Sequence, residues 1–534
     1  MSGDILGRRV NSAANTQLVM EWFERCCSTH QRCGSAPVGE KPSLPTRIVD
    51  VSRIGEGGEP FLLETQDLLC GKYKYIALSH RWGGARITTT TKDNLLAHKA
   101  AVPWAGLCRT FQDAMIVTNR LGFQFLWIDS LCIIQDCAED WRREASRMAS
   151  IYKYAAITIA AACATSGDTG LFQPRKSSLE VEIPYYTKDG IRDGHYFASD
   201  REVKSFRDEV VNGPLNTRAW TLQERHLSRR ILHYGRTQLL WECQSTVWEE
   251  SSEIEHNAYD RFGGDLKDGY LTSLSSLLWR NLDPLAERHE VIATPFSTWY
   301  WLVSQYSRRL LTFGDDKLPA ISGLAREFAS CREDLYVAGL WRGDLPVGLL
   351  WHSDSGGLLN RANPLRAPSW SWAAWDGPIS FESDWDGALD VENVHVAVDL
   401  LDSDPFGRTG SGTIRVSGLL RPIRAAPPDN LANGRGWHST NASLLNDDGV
   451  CVGCGCVDEP HMNLNKSLYA LSIFRVFIGW RPFSPEVLEA RGHWTWCLLL
   501  KSYGIATTFE RVGLAQVDQD FFDAISNRKD VFII

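Results

Sequence analysis

Short apolar segments alternate with a helix-like segment between residues 75 and 162, and this alternation most strongly limits the folds open to the chain. Residues 75–79 (YIALS) and 125–129 (FLWID) are typical of short buried strands, and residues 156–162 (AITIAAA) are a third such run. Residues 140–154 instead place their apolar side chains on one face of a helix. Strands that alternate with helices predict an α/β fold, with a parallel sheet flanked by helices.

Local signals extend this prediction along the chain. Asp140 is predicted to cap the N-terminus of its helix, because a carboxylate there can accept from free backbone N–H groups. The remaining elements predicted before residue 250 are a helix at 15–27, a Gly- and Pro-rich loop at 33–45, a polar irregular loop at 165–213, a helix at 219–225 and a strand at 231–234.

The pattern changes near residue 250 of the 534 residues. We therefore predict an N-terminal helix and loop over 1–44, an α/β domain over 45–250 and a mixed α+β, β-rich C-terminal domain over 251–534. Within the C-terminal domain we predict a helix at 295–311 and strands at 393–400, 413–419 and 494–501.

Composition excludes several classes of protein. The net charge of −9 and the isolation of the basic pairs argue against a nucleic-acid partner. No run reaches the roughly 18 apolar residues of a membrane-spanning helix, and the N-terminus lacks the apolar segment of a secretory signal. The 14 cysteines are not spaced as a disulfide framework, so we expect a cytoplasmic protein with reduced thiols.

Common cofactor and catalytic motifs are absent from the sequence. There is no GxGxxG after a strand, no GxxxxGK[ST], no HExxH and no GxSxG. We therefore predict no bound cofactor.

Two groups of cysteines leave metal binding open. Cys27, His30 and Cys33, with Cys26 adjacent, supply three ligands, whereas a structural zinc site needs four and no partner is near in sequence. The second group, Cys451, Cys454 and Cys456 with His461 nearby, is predicted to lie in a Gly-rich loop with free thiols.

A cysteine nucleophile is a further alternative. Cys132 and His80 each follow a predicted strand, and catalysis would require the thiolate and the imidazole to meet in space. The apolar residues on both sides of Cys132 also suit a core position.

Three long segments resemble, in order and spacing, the fungal HET (heterokaryon incompatibility) domain family. They are YIALSHRWGG at 75–84, the segment 126–161 beginning LWIDSLCIIQD, and the segment 215–243 beginning LNTRAWTLQERHL. One departure is His80, where the family usually has tyrosine. The second half resembles long family members at residues 306–325, 336–351 and 367–377.

The resemblance implies a role in non-self recognition after hyphal fusion, with death of the mixed cell. HET domains are in turn distantly similar to TIR domains, some of which cleave NAD with the glutamate of a Trp-x-x-x-Glu step. Trp220 and Glu224 have that spacing. The resemblance therefore implies NAD or a related nucleotide as substrate, Glu224 as catalytic residue and a homo-oligomer or another incompatibility protein as partner.

Loops at the carboxyl ends of the strands are expected to complete the binding site, as in other parallel sheets. The predicted substrate-binding residues are Ser79, Arg81, Trp82, Asp129, Ser130 and Trp220. Four alternatives remain open. Trp220 could be a core residue, and Glu224 could pair with Arg218 or Arg225. Arg81 could be a solvated charge or a partner of Asp129, and Asp129 and Ser130 could be turn-forming residues. A non-catalytic scaffold that kills by assembling with partners is the alternative function.

Overall fold

The computed structural model of the protein divides into two compact units, Met1–Leu277 and Leu278–Ile534. The residues it describes are 12–34, 44–68, 73–84, 87–175, 180–199, 203–257, 296–330, 332, 334–357, 359–382, 386–428, 440–458, 468–478, 494–504 and 507–534.

Regular elements of the first unit lie in the predicted order. Its strands are β1 (Arg47–Asp50), β2 (Phe61–Glu64), β3 (Tyr75–Ser79), β4 (Phe125–Trp127), β5 (Ile157–Ala160), β6 (Glu180–Tyr186), β7 (Arg192–Ser199), β8 (Arg230–Tyr234), β9 (Leu239–Cys243), β10 (Thr246–Glu249) and β11 (Ser252–Asn257). Its α-helices are α1 (Ala13–Thr29), α2 (Leu95–Ala100), α3 (Arg109–Arg120), α4 (Asp129–Cys132), α5 (Ala138–Tyr154) and α6 (Thr221–Leu227).

Nine of these strands form one sheet with the order β11-β10-β9-β8-β5-β3-β4-β1-β2. The central strands β8, β5, β3 and β4 run parallel to one another, and the flanking strands β9 and β1 are antiparallel to them. Every residue of β3, β4, β5 and β8 is buried, as expected for parallel strands covered on both faces. The α/β prediction is confirmed, with antiparallel edges added to the parallel centre.

The core of this unit joins the sheet to helices that the sequence places far apart. One cluster of buried apolar residues includes Trp22 of α1, Phe111 of α3, Tyr152 of α5 and Trp127 of β4. The N-terminal helix, predicted within a separate segment, thus packs into the core of the α/β unit. At the other end the sheet continues to β11, beyond the predicted boundary at residue 250.

The predicted cap of α5 is wrong. The helix begins at Ala138 with Cys137 as its N-cap residue, and Asp140 is a buried residue inside the first turn. Its carboxylate accepts hydrogen bonds from the guanidinium of Arg47 and from the backbone N–H of Ile134, at 2.8 Å for the latter. A buried ion pair with β1, rather than the end of the helix, explains the acidic residue.

The segment predicted as an irregular loop at 165–213 contains regular structure. The β6–β7 hairpin lies within it, and a π-helix at Arg207–Val211 follows. The alternating polar and apolar residues of this hairpin lack the continuous apolar run by which the buried strands were predicted.

The second unit is rich in strands, as predicted. Its helices are α7 (Ser297–Ser307) and α8 (Pro319–Ser330). Its strands are β12 (Tyr336–Val337), β13 (Leu340–Trp341), β14 (Trp351–Ser353), β15 (Asn360–Arg361), β16 (Trp375–Asp376), β17 (Ile379–Phe381), β18 (Asp386–Leu389), β19 (Val391–Leu400), β20 (Thr409–Gly418), β21 (Leu420–Ala426), β22 (Ala442–Leu445), β23 (Cys451–Val457), β24 (Leu468–Ile478), β25 (Trp494–Ser502), β26 (Thr508–Asp518) and β27 (Lys529–Ile533).

Ten of these strands, β18 to β27, belong to one sheet. The predicted strands at 393–400, 413–419 and 494–501 correspond to β19, β20 and β25, and the predicted helix at 295–311 corresponds to α7. Over the residues described in either unit, no helix combines the length and apolarity needed to cross a membrane.

The buried Arg47–Asp140 pair gives a test of the first unit. Both side chains are 4% exposed, so Asp140→Ala leaves a buried guanidinium without its carboxylate. We expect the free energy of unfolding to fall by about 3 kcal/mol, measured by urea denaturation. The control is Glu139→Ala, which removes an exposed carboxylate one residue away and should change it by less than about 0.5 kcal/mol. Equal effects of the two substitutions would contradict the role of the pair.

Candidate active site

Glu224 lies at the carboxyl end of β3, one of the four parallel strands of the sheet. Its side chain projects from α6, and the residue is 4% exposed. The hydroxyl of Ser79, the last residue of β3, donates a hydrogen bond to Glu224 Oε2 at 2.5 Å. The structure thus joins the predicted catalytic residue to a predicted binding residue that precedes it by 145 positions.

Burial controls the charge of Glu224. Desolvation raises the pKa of its carboxyl group to about 7, and the negative charge of Asp129 acts in the same direction. The Arg218 guanidinium and the hydroxyl groups of Ser79 and Tyr152 lower the pKa but do not offset burial. The carboxyl group therefore exchanges its proton near neutral pH, where a group that acts in acid–base chemistry is most effective.

Two residues that were not predicted as site residues hold the end of β3 in place. The Arg218 guanidinium donates to the backbone carbonyl of His80, and the Tyr152 hydroxyl donates to the carbonyl of Leu78 at 3.1 Å. Arg218 was considered only as an ion-pair partner of Glu224, and Tyr152 only as part of the apolar face of α5. Their polar atoms meet the site because α5 and α6 pack against the same strand end.

Asp129, the first residue of helix α4 after β4, organises a second group of polar side chains. Its carboxylate accepts hydrogen bonds from the Trp82 indole N–H at 3.2 Å and from the backbone N–H of Ser130 at 2.7 Å. His80 Nε2 lies 3.7 Å from Asp129 Oδ1. These contacts bring residues that follow β3 close to a residue that follows β4.

The two residues next to Asp129 in this group, Ser130 and His80, are both buried. The Ser130 hydroxyl is buried, and no described residue hydrogen-bonds to it. His80 is 2% exposed, its ring packs against Phe111, and burial lowers the pKa of its imidazole to about 4. At neutral pH His80 is therefore an uncharged neighbour of Asp129.

Trp220 and Arg81 lie at the edge of the site. Trp220 is the N-cap residue of α6, and its half-buried ring packs edge-to-face against Trp141 at 6.3 Å. Arg81 is half-buried, and within the described part of the chain neither Asp129 nor any other carboxylate forms an ion pair with it. Arg225, which was considered as an ion-pair partner of Glu224, instead forms an ion pair with Glu242 at 2.9 Å.

A small cavity lies beside Ser79, between β5, β8 and α6. Polar groups of Thr221, Arg225 and His233 line it together with apolar residues of the sheet. The cavity has room for about one water molecule, far less than a nucleotide requires.

Cysteine chemistry at Cys132 is not supported. The thiol is 1% exposed, and burial raises its pKa to about 12. No hydrogen bond connects it to His80 in the described part of the structure. A nucleophile needs thiolate character and access, and Cys132 has neither.

The C-terminal cysteine group also differs from prediction. Cys451, Cys454 and Cys456 lie in strand β23, not in a loop. Cys454 and Cys456 are buried, and the Cys456 thiol is 3.1 Å from the Ser353 hydroxyl. His461 lies outside the described residues.

Comparison with protein families identifies the domain around Glu224. Residues 75–224 match the family model described as Heterokaryon incompatibility protein (HET). The chain contains a HET domain. The match begins at the first residue of β3 and ends at Glu224 itself, so the HET domain contains both partners of the Ser79–Glu224 hydrogen bond. It supports a role in heterokaryon incompatibility, and no curated protein and no solved structure matches the chain.

The raised pKa of Glu224 predicts a pH-dependent stability. Above about pH 4.5 the unfolded chain ionises Glu224, whereas the folded HET domain keeps it protonated until about pH 7. The contribution of protonated Glu224 to the free energy of unfolding is therefore fully present at low pH and is lost as the pH rises through 7. Relative to Glu224→Gln, the wild type should lose about 3 kcal/mol between pH 5 and pH 8, measured by urea denaturation. Exposed Glu56→Gln is the control. Equal pH dependence of the wild type and Glu224→Gln would exclude the raised pKa.

Alkylation tests the assignment of Cys132 to the core. In folded protein at pH 8, iodoacetamide should modify the exposed Cys27 at least about tenfold faster than the buried Cys132, as measured by peptide mass spectrometry. In urea the two rates should become similar. Rapid modification of Cys132 in folded protein would restore it as a candidate nucleophile.

Proposed function

We propose that the HET domain is a TIR-like cell-death effector that hydrolyses NAD to nicotinamide and an ADP-ribose product, with Glu224 as its catalytic residue. The observation that carries the proposal is the Glu224 carboxyl group, buried at the carboxyl end of β3 and titrating near pH 7. Carboxyl groups with shifted pKa values at strand ends of parallel sheets are typical of active sites.

The chemistry requires only one carboxylate. The bond between the anomeric carbon and the cationic ring nitrogen of nicotinamide breaks, and the nitrogen takes its electron pair. Nicotinamide therefore departs as a neutral molecule, and no acid has to protonate it. Ionised Glu224 accepts hydrogen bonds from the ribose hydroxyls and stabilises the positive charge that develops at the anomeric carbon. Water then attacks that carbon and releases one proton, which completes the hydrolysis.

Neighbouring residues take supporting roles in this proposal. The Ser79 hydroxyl holds the Glu224 carboxylate, and Asp129 orients a ribose hydroxyl with Ser130 beside it. Arg81, which is half-buried and near the strand end, binds the pyrophosphate through charge-assisted hydrogen bonds. The indoles of Trp82 and Trp220 supply aromatic surfaces for the nicotinamide or adenine ring.

The burial of Glu224 adds a condition to the proposal. Glu224 is 4% exposed and the adjoining cavity holds about one water molecule, so a nucleotide reaches this carboxylate only after the elements around it move apart. We therefore propose that assembly with another copy of the chain, or with a partner incompatibility protein, opens the site.

The same burial favours one alternative function. A carboxyl group enclosed by Ser79, Tyr152 and Arg218 can also serve to hold α6 against the sheet. The HET domain would then be a non-catalytic scaffold that triggers cell death by assembling with partners.

Nicotinamide release from NAD by the purified full chain distinguishes the two functions. The wild type should release nicotinamide, with a rate per chain that increases with protein concentration. Its kcat/KM should rise with pH through about 7, as Glu224 ionises in the free enzyme. Glu224→Gln keeps the shape of the side chain without its charge and should lower the rate by at least about a hundredfold.

Two controls complete this experiment. The exposed Glu56→Gln should retain the wild-type rate, and the melting temperature of Glu224→Gln shows that this variant is folded. If concentrated wild-type protein releases no nicotinamide while Glu224→Gln still kills cells, the scaffold function is correct and the proposed hydrolase is wrong.

A further inference from the structure

Four potential metal ligands from distant parts of the chain meet at one point of the first unit, away from Glu224 in the sequence. They are the thiols of Cys26, Cys33 and Cys243 and the imidazole of His30, and we call them the Cys₃His cluster. Their ligand atoms all lie within 4.8 Å of one another. The Cys243 sulfur is 3.4 Å from His30 Nδ1.

Local structure explains how three of the ligands come together. Cys26 and His30 are four residues apart at the end of α1, so they lie on the same side of the helix. A 3₁₀-helix at Gln31–Cys33 then turns the chain and places Cys33 beside them. The fourth ligand, Cys243, ends strand β9 and is brought in by the sheet.

Cys27 is excluded from the cluster, although it belonged to the ligand set considered from the sequence. It is exposed to solvent, whereas the adjacent Cys26 is completely buried. Of the residues considered from the sequence, Cys26, His30 and Cys33 belong to the cluster and Cys27 does not. The fourth ligand was missed because it lies 210 residues beyond Cys33.

The donor set and its spacing fit zinc. Three thiolates and one imidazole are a ligand set of structural Zn²⁺ sites, which are tetrahedral. Zinc–sulfur bonds of about 2.3 Å place tetrahedral ligands about 3.8 Å apart, so ligands within 4.8 Å need only a small contraction. Four protein ligands leave no position for water, which indicates a structural rather than a catalytic metal.

Surrounding groups suit a charged metal–thiolate centre. Arg230 Nε donates to the Cys26 sulfur at 3.3 Å, and the Ser245 hydroxyl lies 3.7 Å from the Cys33 sulfur. Three thiolates and one Zn²⁺ carry a net charge of −1, which the Arg230 guanidinium balances. Such outer hydrogen bonds orient the ligands of known metal sites. The His30 ring also packs against Trp248 at 5.4 Å.

We propose that the Cys₃His cluster binds one Zn²⁺ ion, which fastens the N-terminal helix α1 to strand β9 of the sheet. The proposal does not depend on NAD hydrolysis, because no cluster residue is among the proposed substrate contacts. Metal coordination joins segments more than 200 residues apart, and the binding free energy of such a site contributes directly to folding.

Metal analysis of two matched variants tests this proposal. The full chain, purified under reducing conditions from cells supplied with zinc, should contain about one zinc per chain by plasma mass spectrometry. Cys243→Ala removes a buried ligand and should lower the zinc content at least fivefold and reduce the melting temperature. Cys27→Ala removes an exposed neighbouring thiol and should leave both values unchanged.

A spectroscopic measurement keeps the test decisive if Cys243→Ala fails to fold. Wild-type protein stripped of zinc and loaded with Co²⁺ should show the intense thiolate-to-cobalt absorption of a tetrahedral site, and added zinc should abolish it. Wild-type protein with less than about 0.2 zinc per chain and no such absorption would overturn the proposal. So would a disulfide among Cys26, Cys33 and Cys243 in the purified protein, or equal zinc loss in Cys27→Ala.

Discussion

The transfer of one carboxyl group out of water, at the end of strand β3, governs the polar groups around it. Glu224 is 4% exposed. The free-energy cost of ionising its carboxyl group there exceeds the stabilisation of the carboxylate by the nearby positive charge and hydrogen bonds. Ser79 and Arg218 reduce this cost without removing it. The helix that carries Glu224 is thus held against the sheet by a group that favours its neutral form up to about pH 7.

The second carboxylate of the site, that of Asp129, differs from Glu224 in its exposure and its hydrogen-bond donors. It is more exposed than Glu224, and it accepts hydrogen bonds from Trp82 and from the backbone of Ser130. Its negative charge in turn raises the pKa of Glu224. The two carboxyl groups of the site therefore differ in solvation and in hydrogen-bond partners.

Sequence periodicity located the buried elements well because each carries an uninterrupted physical signal. Strand β3 occupies residues 75–79 as predicted, since all five side chains are buried and apolar or small. The predicted strand at 231–234 and helix at 219–225 lie within two residues of β8 and α6. Fully buried parallel strands need continuous apolar runs, and few other structures do.

Polar contacts between distant segments were not predictable in the same way. Asp140 has the sequence context of a helix cap, and only the fold shows that Arg47 lies beside it. Tyr152 follows the apolar pattern of α5, which does not indicate that its hydroxyl reaches the end of β3. In the same way, nothing near Cys33 in the sequence points to Cys243. The pattern of polar and apolar residues along one segment indicates which face of that helix or strand is buried. The partners of its polar groups depend instead on the order of the strands in the sheet.

Strand β8 connects the Cys₃His cluster to the candidate active site. It begins six residues after Glu224 with Arg230, which lies opposite Cys243 in the register of β8 and β9. The Arg230 guanidinium also donates to the Cys26 sulfur and to the carbonyl of Cys33. Any displacement of α1 therefore removes hydrogen bonds from the residue at which β8 begins. Only two residues separate the end of α6 from this strand, so the residue that contacts the cluster lies close in sequence to the helix that carries Glu224.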